Sequence, residues 1–167
     1  MIAKNTKLSD VLKIGEKCDK CGHCCRHGAG ALFGDDIKSI AKFLGITEDE
    51  LREKHLEEIE KFNTKLHRPK TKKNSKPYGV CVFYNNGCTI QPVKPLECRT
   101  GNCSEHGEQL SLWFMLNHFV NPNDPESVRQ YATYLKSGGK TLPGGELEEI
   151  VPDKKKLRKI LSYEVLR

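Results

Sequence analysis

The sequence lacks long apolar runs, because none exceeds five residues, as at 112–116 (LWFML). A helix that spans a membrane needs roughly 20 such residues, so this class of protein is excluded. Residues 1–15 mix polar side chains with single aliphatic ones and lack the apolar core of a secretory signal. The sequence also lacks internal repeats and low-complexity tracts. We therefore expect a cytoplasmic, globular protein.

The chain has 167 residues, of which 37% are hydrophobic and 30% charged. These values are typical of one globular domain with polar tails. We expect a single domain over residues 1–167. Within it, a cysteine-cluster metal-binding region covers 18–103, and a helical C-terminal part covers 104–167 and packs on that region.

Cysteine is the residue type that stands out, with eight in the chain. An even number could indicate a disulfide framework, but disulfides are typical of secreted chains. In a cytosolic protein such a cluster more often binds metal or performs redox chemistry. The sequence order divides the predicted metal ligands into two sets: Cys18, Cys21, Cys24 and Cys25, followed by Cys81, Cys88, Cys98 and Cys103.

The first set resembles the opening of a bacterial ferredoxin run, in which cysteines three residues apart bind different irons of a cubane. It departs from that run because Cys25 follows Cys24 directly. Adjacent side chains on an extended backbone point apart, so Cys24 and Cys25 could serve different metal centres. A partition into the first four and the last four cysteines is the simplest, and an interleaved partition stays open.

Hydrophobic spacing predicts the elements between the two sets. Ile37, Ile40, Ala41 and Leu44 line one face of a helix that begins near Asp35-Asp36 and closes at Gly45. Thr47 to Glu50 reads as a capping box that starts a second helix, which we expect to reach about Phe62. The basic, proline-interrupted stretch 65–76 is predicted to be a surface loop.

The second set begins in a predicted hairpin. Strand formers at 80–84 and 88–90 flank Asn85-Asn86-Gly87, which is a strong turn signal and places Cys81 and Cys88 on adjoining strands. Pro92 and Pro95 then break regular structure, which leaves Cys98 and Cys103 on a loop.

Three helices are predicted in the last third. The helix at 110–120 has no clean polar face, so we expect it to be buried on most sides at the centre of the core. Asp124-Pro125 is a typical start for the next helix. A final helix should begin near Pro152 and bury Leu157, Ile160 and Leu161. Together the predictions describe an α+β fold: a small, mainly helical domain with a β-hairpin and cysteine-bearing loops around one or two metal centres.

The whole cysteine pattern resembles the CxxCxxCC family of zinc- or iron-chelating proteins, which are often labelled YkgJ-like. The resemblance covers about residues 18–103 and includes Cys18-x2-Cys21-x2-Cys24-Cys25, the 81–88 hairpin and Cys98-Arg99 to Cys103. It implies that all eight cysteines bind metal. One branch of the family is the flagellin lysine-N-methylases, which implies a protein lysine N-methylase as an alternative function.

Ligand spacing favours an iron–sulfur cluster over zinc. Tetrathiolate zinc sites usually pair two Cys-x2-Cys knuckles, and only the first set has that spacing. A cubane accepts ligands from distant loops, so we expect one or two 4Fe–4S clusters, with zinc as the alternative cofactor. The expected function is an iron–sulfur protein with a redox, metal-handling or protein-modification role. A zinc-stabilised adaptor for nucleic acid or protein is a further alternative.

The charge balance bears on the partner. The formal net charge is +6 with neutral thiols. Eight thiolates remove eight charges and two doubly charged centres restore four, which leaves about +2. So mild a charge is only weak support for a nucleic-acid partner, which stays open. We expect another protein as the partner and no membrane.

Four other residues are candidates near the cysteines. His23 could replace a cysteine as a ligand, although an exposed histidine is the favoured interpretation, and His27 and His106 are weaker candidates. Arg99 could hydrogen-bond a sulfide or a substrate carboxylate, or pair with Glu97 or Glu105 at the surface.

Overall fold

The computed structural model describes residues 1–73, 76 and 78–164. Within these residues the chain is mainly helical with four short strands, so the predicted α+β class is confirmed. The helices are α1 Leu8–Gly15, α2 His23–His27, α3 Asp36–Leu44, α4 Glu48–His55, α5 Leu96–Thr100, α6 Gly107–His118, α7 Pro125–Lys136, α8 Leu147–Ile150 and α9 Lys154–Leu161. The strands are β1 Leu56–Lys61, β2 Thr64–Pro69, β3 Thr71–Lys72 and β4 Val80–Cys81.

The chain divides into two compact units. One comprises 1–11, 60–65 and 108–167, and the other comprises 12–59 and 66–107. All eight cysteines belong to the second, which we call the cysteine unit. Among the described helices, none combines the length and the apolar character that crossing a bilayer requires.

Helix α3 and the start of α4 form as predicted. Gly45 ends α3 with φ at 69°, in the left-handed region that glycine adopts without strain. At the start of α4, the Glu50 amide donates to Thr47 Oγ1 over 3.1 Å, and the Thr47 amide donates to Glu50 Oε2 over 3.0 Å. This reciprocal pair is the capping box that the sequence predicts.

The prediction that α4 reaches Phe62 is wrong, because the helix ends at His55 and the chain forms β1. Phe62 and Asn63 adopt left-handed backbone conformations, with φ of 49° and 58°, and β1 pairs with β2 across them. A two-residue turn in this conformation matches the twist of paired strands, so the chain forms a hairpin here instead of a longer helix. Arg68 Nε also donates to Glu57 Oε1 over 3.0 Å between the two strands.

The basic stretch 65–76 is also more regular than predicted. Most of it lies in β2 and β3 rather than in a loop, while residues 74 and 75 lie outside the described residues. β3 pairs antiparallel with β4, with Thr71 opposite Cys81 and Lys72 opposite Val80. The basic composition of this stretch therefore does not indicate that its residues pair with neighbouring strands.

The predicted hairpin at 80–90 is only partly correct. The chain does reverse at Asn85-Asn86-Gly87, where an isolated antiparallel bridge joins Tyr84 to Cys88. The partner of β4 is β3 instead of 88–90, so Cys81 and Cys88 do not lie on adjoining strands. β4 forms two antiparallel residue pairs with β3, whereas the segment after the turn makes only the isolated bridge at Cys88.

The cysteine unit has a hydrophobic core of its own. The fully or almost fully buried side chains in it are Leu32, Ile40, Ala41, Leu51, Leu56, Phe83 and Ile90. Cys81 and Cys88 pack against this cluster. Two of the cysteines are therefore fixed by apolar packing as well as by their own backbone.

The other unit is built around α6. Leu110, Trp113, Phe114 and Leu116 are buried in it, as predicted for a helix without a polar face. Asp124 caps α7 by accepting from the Glu126 amide over 3.1 Å. Near the end of the chain, α9 buries Leu157 and Ile160 as predicted. Leu161 is exposed, so the prediction that it is buried is wrong.

Candidate metal centre

The first cysteine segment turns sharply between Cys21 and Cys24. Gly22 has φ at 73° and stands directly before α2. A Cβ on Gly22 would lie 2.8 Å from Tyr84 Oη, so the absence of a side chain allows both the turn and the approach of the Tyr84 ring. The backbone amide of His23 donates to Cys21 Sγ over 3.5 Å.

Cys24 and Cys25 lie on α2, and their sulfurs interact directly. A hydrogen bond between the two thiols raises the pKa of Cys24 and lowers that of Cys25. Because the backbone here is helical, the expectation of an extended backbone with side chains pointing apart is wrong. Cys24 therefore holds its proton more tightly than Cys25 does.

Three cysteines of the second segment are more enclosed. Burial is the main cause that raises the pKa of Cys81, of Cys88 and of Cys98. The charges of all three also act on Cys25, and each tends to raise its pKa. We call Cys25, Cys81, Cys88 and Cys98 the inner thiol group.

Cys98 is not on a loop, as the sequence predicted, but on α5. Pro95 precedes this helix, and Asp36 Oδ2 accepts from the Leu96 amide over 2.7 Å. The Asp36 carboxylate of α3 therefore accepts a hydrogen bond from a free amide in the first turn of α5. A helix forms at a position where the prolines alone predict a break.

Cys103 lies in a separate environment. Its side chain is exposed. Burial of the sulfur is the largest cause that raises the pKa of this thiol, and the charge of Cys21 is the next. A hydrogen bond with Cys21 also raises this pKa. Asn102 fixes this segment by donating from Nδ2 to the Ile14 carbonyl oxygen over 2.8 Å. Cys18 and Cys24 also act on Cys103 through their charges. We call Cys18, Cys21 and Cys103 the outer thiol group.

The structure thus brings the eight thiols together in an order that differs from the sequence order. The inner group takes Cys25 from the first sequence set, and the outer group takes Cys103 from the second. Cys24 interacts with members of both groups. The interleaved partition stays a prediction, which the influence of Cys98 on Cys25 and of Cys21 on Cys103 favours.

Two close approaches fix Cys98 within the inner group. A Cβ on Gly30 would overlap Cys98 Sγ, and the Gly30 amide hydrogen-bonds to that sulfur. The neighbouring Glu97 accepts from the Ala31 amide over 2.6 Å, which ties the Gly30 segment to α5. Only glycine leaves room for Cys98 at this point.

Asp36 holds α3 and α5 together from a buried position, where it is 4% exposed. Its Oδ1 accepts from Arg99 Nη2 over 2.7 Å, while Oδ2 accepts from the amides of Phe33 and Leu96 over 2.8 and 2.7 Å. The prediction that Arg99 pairs with Glu97 or Glu105 is wrong, because Asp36 offers a buried carboxylate already held by two amides.

The donor set fits a thiolate-bound metal. Backbone amides act on four sulfurs: His23 donates to Cys21 over 3.5 Å, and amide hydrogen bonds from Phe83, Ile90 and Gly30 lower the pKa of Cys81, Cys88 and Cys98 in turn. In the first three the donor follows the cysteine by two residues. Such bonds stabilise a thiolate and tune the metal that it binds. Across the described residues, no three Cys, His, Asp or Glu side chains converge to ion-binding distance, so the thiols are neighbours that a metal would draw closer.

The candidate histidines lie outside both thiol groups. His23 and His27 are exposed on α2, as the favoured interpretation of His23 expected. His106 Nε2 lies 3.7 Å from Glu105 Oε1.

Sequence reasoning missed Asp36, Gly30 and Asn102. The sequence predicts only that a helix begins near Asp36, and it gives no role to Gly30 or Asn102. A buried acid or a glycine required by a close approach has no local signal, because its long-range partners lie sixty or more residues away.

Comparison with known families supports metal binding by this chain. The family model CxxCxxCC, described as "Putative zinc- or iron-chelating domain", matches residues 17–113, which is more than half of the chain. The match includes all eight cysteines. Searches of the curated proteins and of the solved structures found no significant match.

Proposed function

We propose an iron–sulfur function for this chain, which belongs to the CxxCxxCC family of zinc- or iron-chelating domains. The inner thiol group binds a 4Fe–4S cluster, and the protein transfers electrons to, or handles metal for, another protein. The observation that carries the proposal is the inner group itself: four thiols from α2, β4, the turn after β4 and α5, three of them with an amide hydrogen bond to sulfur.

A bound metal would change the charge state of this group. Burial raises the pKa of Cys81, Cys88 and Cys98, so these thiols are neutral at pH 7 unless a cation compensates their charge. The positive charge of Lys94 gives part of this compensation at Cys88, because it lowers the pKa of that thiol. A metal centre supplies the positive charge that would keep all four sulfurs as thiolates.

The scattered origin of the inner thiols supports a cluster over a single ion. They come from α2, β4, the turn after β4 and α5, and Cys25 lies near enough to Cys81, Cys88 and Cys98 for their charges to raise its pKa. Two sulfurs bound to one zinc at about 2.3 Å lie within about 4 Å of each other. Ligands of a cubane are attached to different irons and therefore stand farther apart.

When bound, such a cluster supplies a one-electron carrier whose potential depends on charge and on hydrogen bonds to sulfur. The chain's contribution is to orient the thiolates and to donate amides to them. Because the inner cysteines are only partly buried, the centre lies near enough to the surface for exchange with a protein partner.

A zinc ion bound by the outer thiol group together with Cys24 is the second candidate. Cys18 and Cys21 have the Cys-x2-Cys spacing of a zinc knuckle. The charge of Cys21 raises the pKa of Cys103, so these two thiols are near neighbours that one ion could bind together. A mixed protein with a cluster in the inner group and zinc in the outer group would follow.

Visible absorption of anaerobically purified protein tests the main proposal. A broad sulfur-to-iron band that dithionite bleaches supports a redox-active cluster. Protein that is colourless, yet carries stoichiometric zinc, contradicts it and favours zinc in both groups.

A further inference from the structure

Helix α2 carries two exposed histidines that belong to neither thiol group. His23 and His27 are four residues apart, so they lie on the same face of the helix, one turn from each other. Their ring centroids are 4.5 Å apart. Two imidazoles at this helical spacing are the pair that a zinc ion uses in helical His-x3-His motifs.

A hydrogen bond prepares the His27 ring for coordination. Its Nδ1 lies 2.7 Å from the carbonyl oxygen of His23. A carbonyl oxygen only accepts, so Nδ1 carries the proton and Nε2 presents its lone pair. Histidines that bind metal almost always donate their second ring nitrogen in this way.

An aromatic neighbour restrains the same ring. The Tyr78 ring packs against His27, with centroids 4.9 Å apart. His27 is thus held between His23 and Tyr78 at an exposed position. Less side-chain freedom is lost when a restrained ring binds a ligand than when a free one does.

We propose that His23 and His27 form a second metal site, which binds one divalent transition-metal ion of the Zn²⁺ or Ni²⁺ class at the surface. Water fills the remaining coordination positions, because only two protein ligands are provided. The site is separate from the thiols and does not depend on which metal they hold. Cys24 and Cys25 lie between the two histidines in the chain. The proposed site would therefore bind exchangeable metal ions beside the cysteine cluster.

Calorimetric titration of the untagged, metal-loaded protein with Ni²⁺ tests this site. Either His23→Gln or His27→Gln should weaken Ni²⁺ binding by roughly tenfold or more, because the second imidazole binds at high effective concentration. His106→Gln is the matched control and should leave the dissociation constant unchanged. Metal analysis before and after titration checks that the thiol-bound metal is retained.

Equal Ni²⁺ affinity in wild type and in both variants would overturn the proposal. So would an equal loss in the His106→Gln control, since binding would then be non-specific. If the His27→Gln variant loses thiol-bound metal, His23→Gln decides alone, because the His23 ring is not the group that bonds to the backbone. Failure of this test leaves the thiol-bound cluster unaffected, and loss of the cluster would be seen in the metal analysis.

Discussion

Asp36 and Arg99 form an ion pair of 2.7 Å that joins the start of α3 to the helix that carries Cys98. Asp36 is almost fully buried, whereas the Arg99 side chain is 40% exposed. The same carboxylate accepts from the Leu96 amide at the start of α5. The position of Cys98 therefore depends on a residue that binds no metal.

Replacing Asp36 tests this dependence. Asp36→Ala leaves the Leu96 and Phe33 amides and the Arg99 guanidinium without their acceptor, so we expect a loss of about 3 kcal/mol in the free energy of unfolding. Urea unfolding of metal-loaded protein measures it. Asp35→Ala is the matched control, because Asp35 is exposed and caps α3 without a side-chain hydrogen bond. Equal stability of the two variants would contradict the structural role of Asp36.

Gly30→Ala should disrupt the inner thiol group. The added methyl group would overlap Cys98 Sγ, so we expect iron per chain to fall at least severalfold. Elemental analysis measures this loss. Gly28→Ala is the control, because a Cβ at Gly28 meets nothing within 4 Å. Full iron content in Gly30→Ala would show that Cys98 is not held by this contact.

Cysteine substitutions distinguish the interleaved partition from the sequence order. If Cys21 and Cys103 share a centre, Cys21→Ser and Cys103→Ser should lose the same metal and keep the same visible spectrum. Cys98→Ser should instead lose the visible band. Metal analysis and absorption spectra of the three variants compare them. The partition would be wrong if Cys103→Ser matched Cys98→Ser and differed from Cys21→Ser.

Removal of metal should loosen the cysteine unit. Without a cation, the clustered thiols lose the bonds that organise the segments around 18–25 and 81–103, and metal binding is coupled to folding in small sites of this kind. We expect a strong chelator under reducing conditions to speed amide hydrogen exchange in both segments. Exchange in α6, which lies in the other unit and carries no cysteine, serves as the internal reference. Unchanged exchange near the cysteines would exclude a structural role for the metal.

Local signals predicted several elements correctly. The capping box at Thr47 and Glu50, the glycine after α3 and the aspartate before Pro125 each act within a few residues, so the sequence is sufficient to find them. The all-round apolar pattern of 110–120 likewise predicted the burial of α6. The family resemblance is confirmed by the match over 17–113.

Non-local contacts explain what the sequence could not predict. The residues after His55 have charges typical of a helix, but left-handed conformations at Phe62 and Asn63 and the partner strand β2 produce a hairpin. Pro95 suggested a loop, but the Asp36 carboxylate supports a helix there. The placement of Cys103 beside Cys21 depends on how α5 and the Asn102 turn return to the end of α1, and no spacing rule records that path.

Iron and acid-labile sulfide analysis of anaerobically purified, full-length protein tests the central claim most directly. A cubane in the inner thiol group predicts about four irons per chain with an equal amount of sulfide, and one zinc in addition if the outer group binds a single ion. Stoichiometric zinc without iron or sulfide would contradict the claim and make the cysteines a structural zinc site.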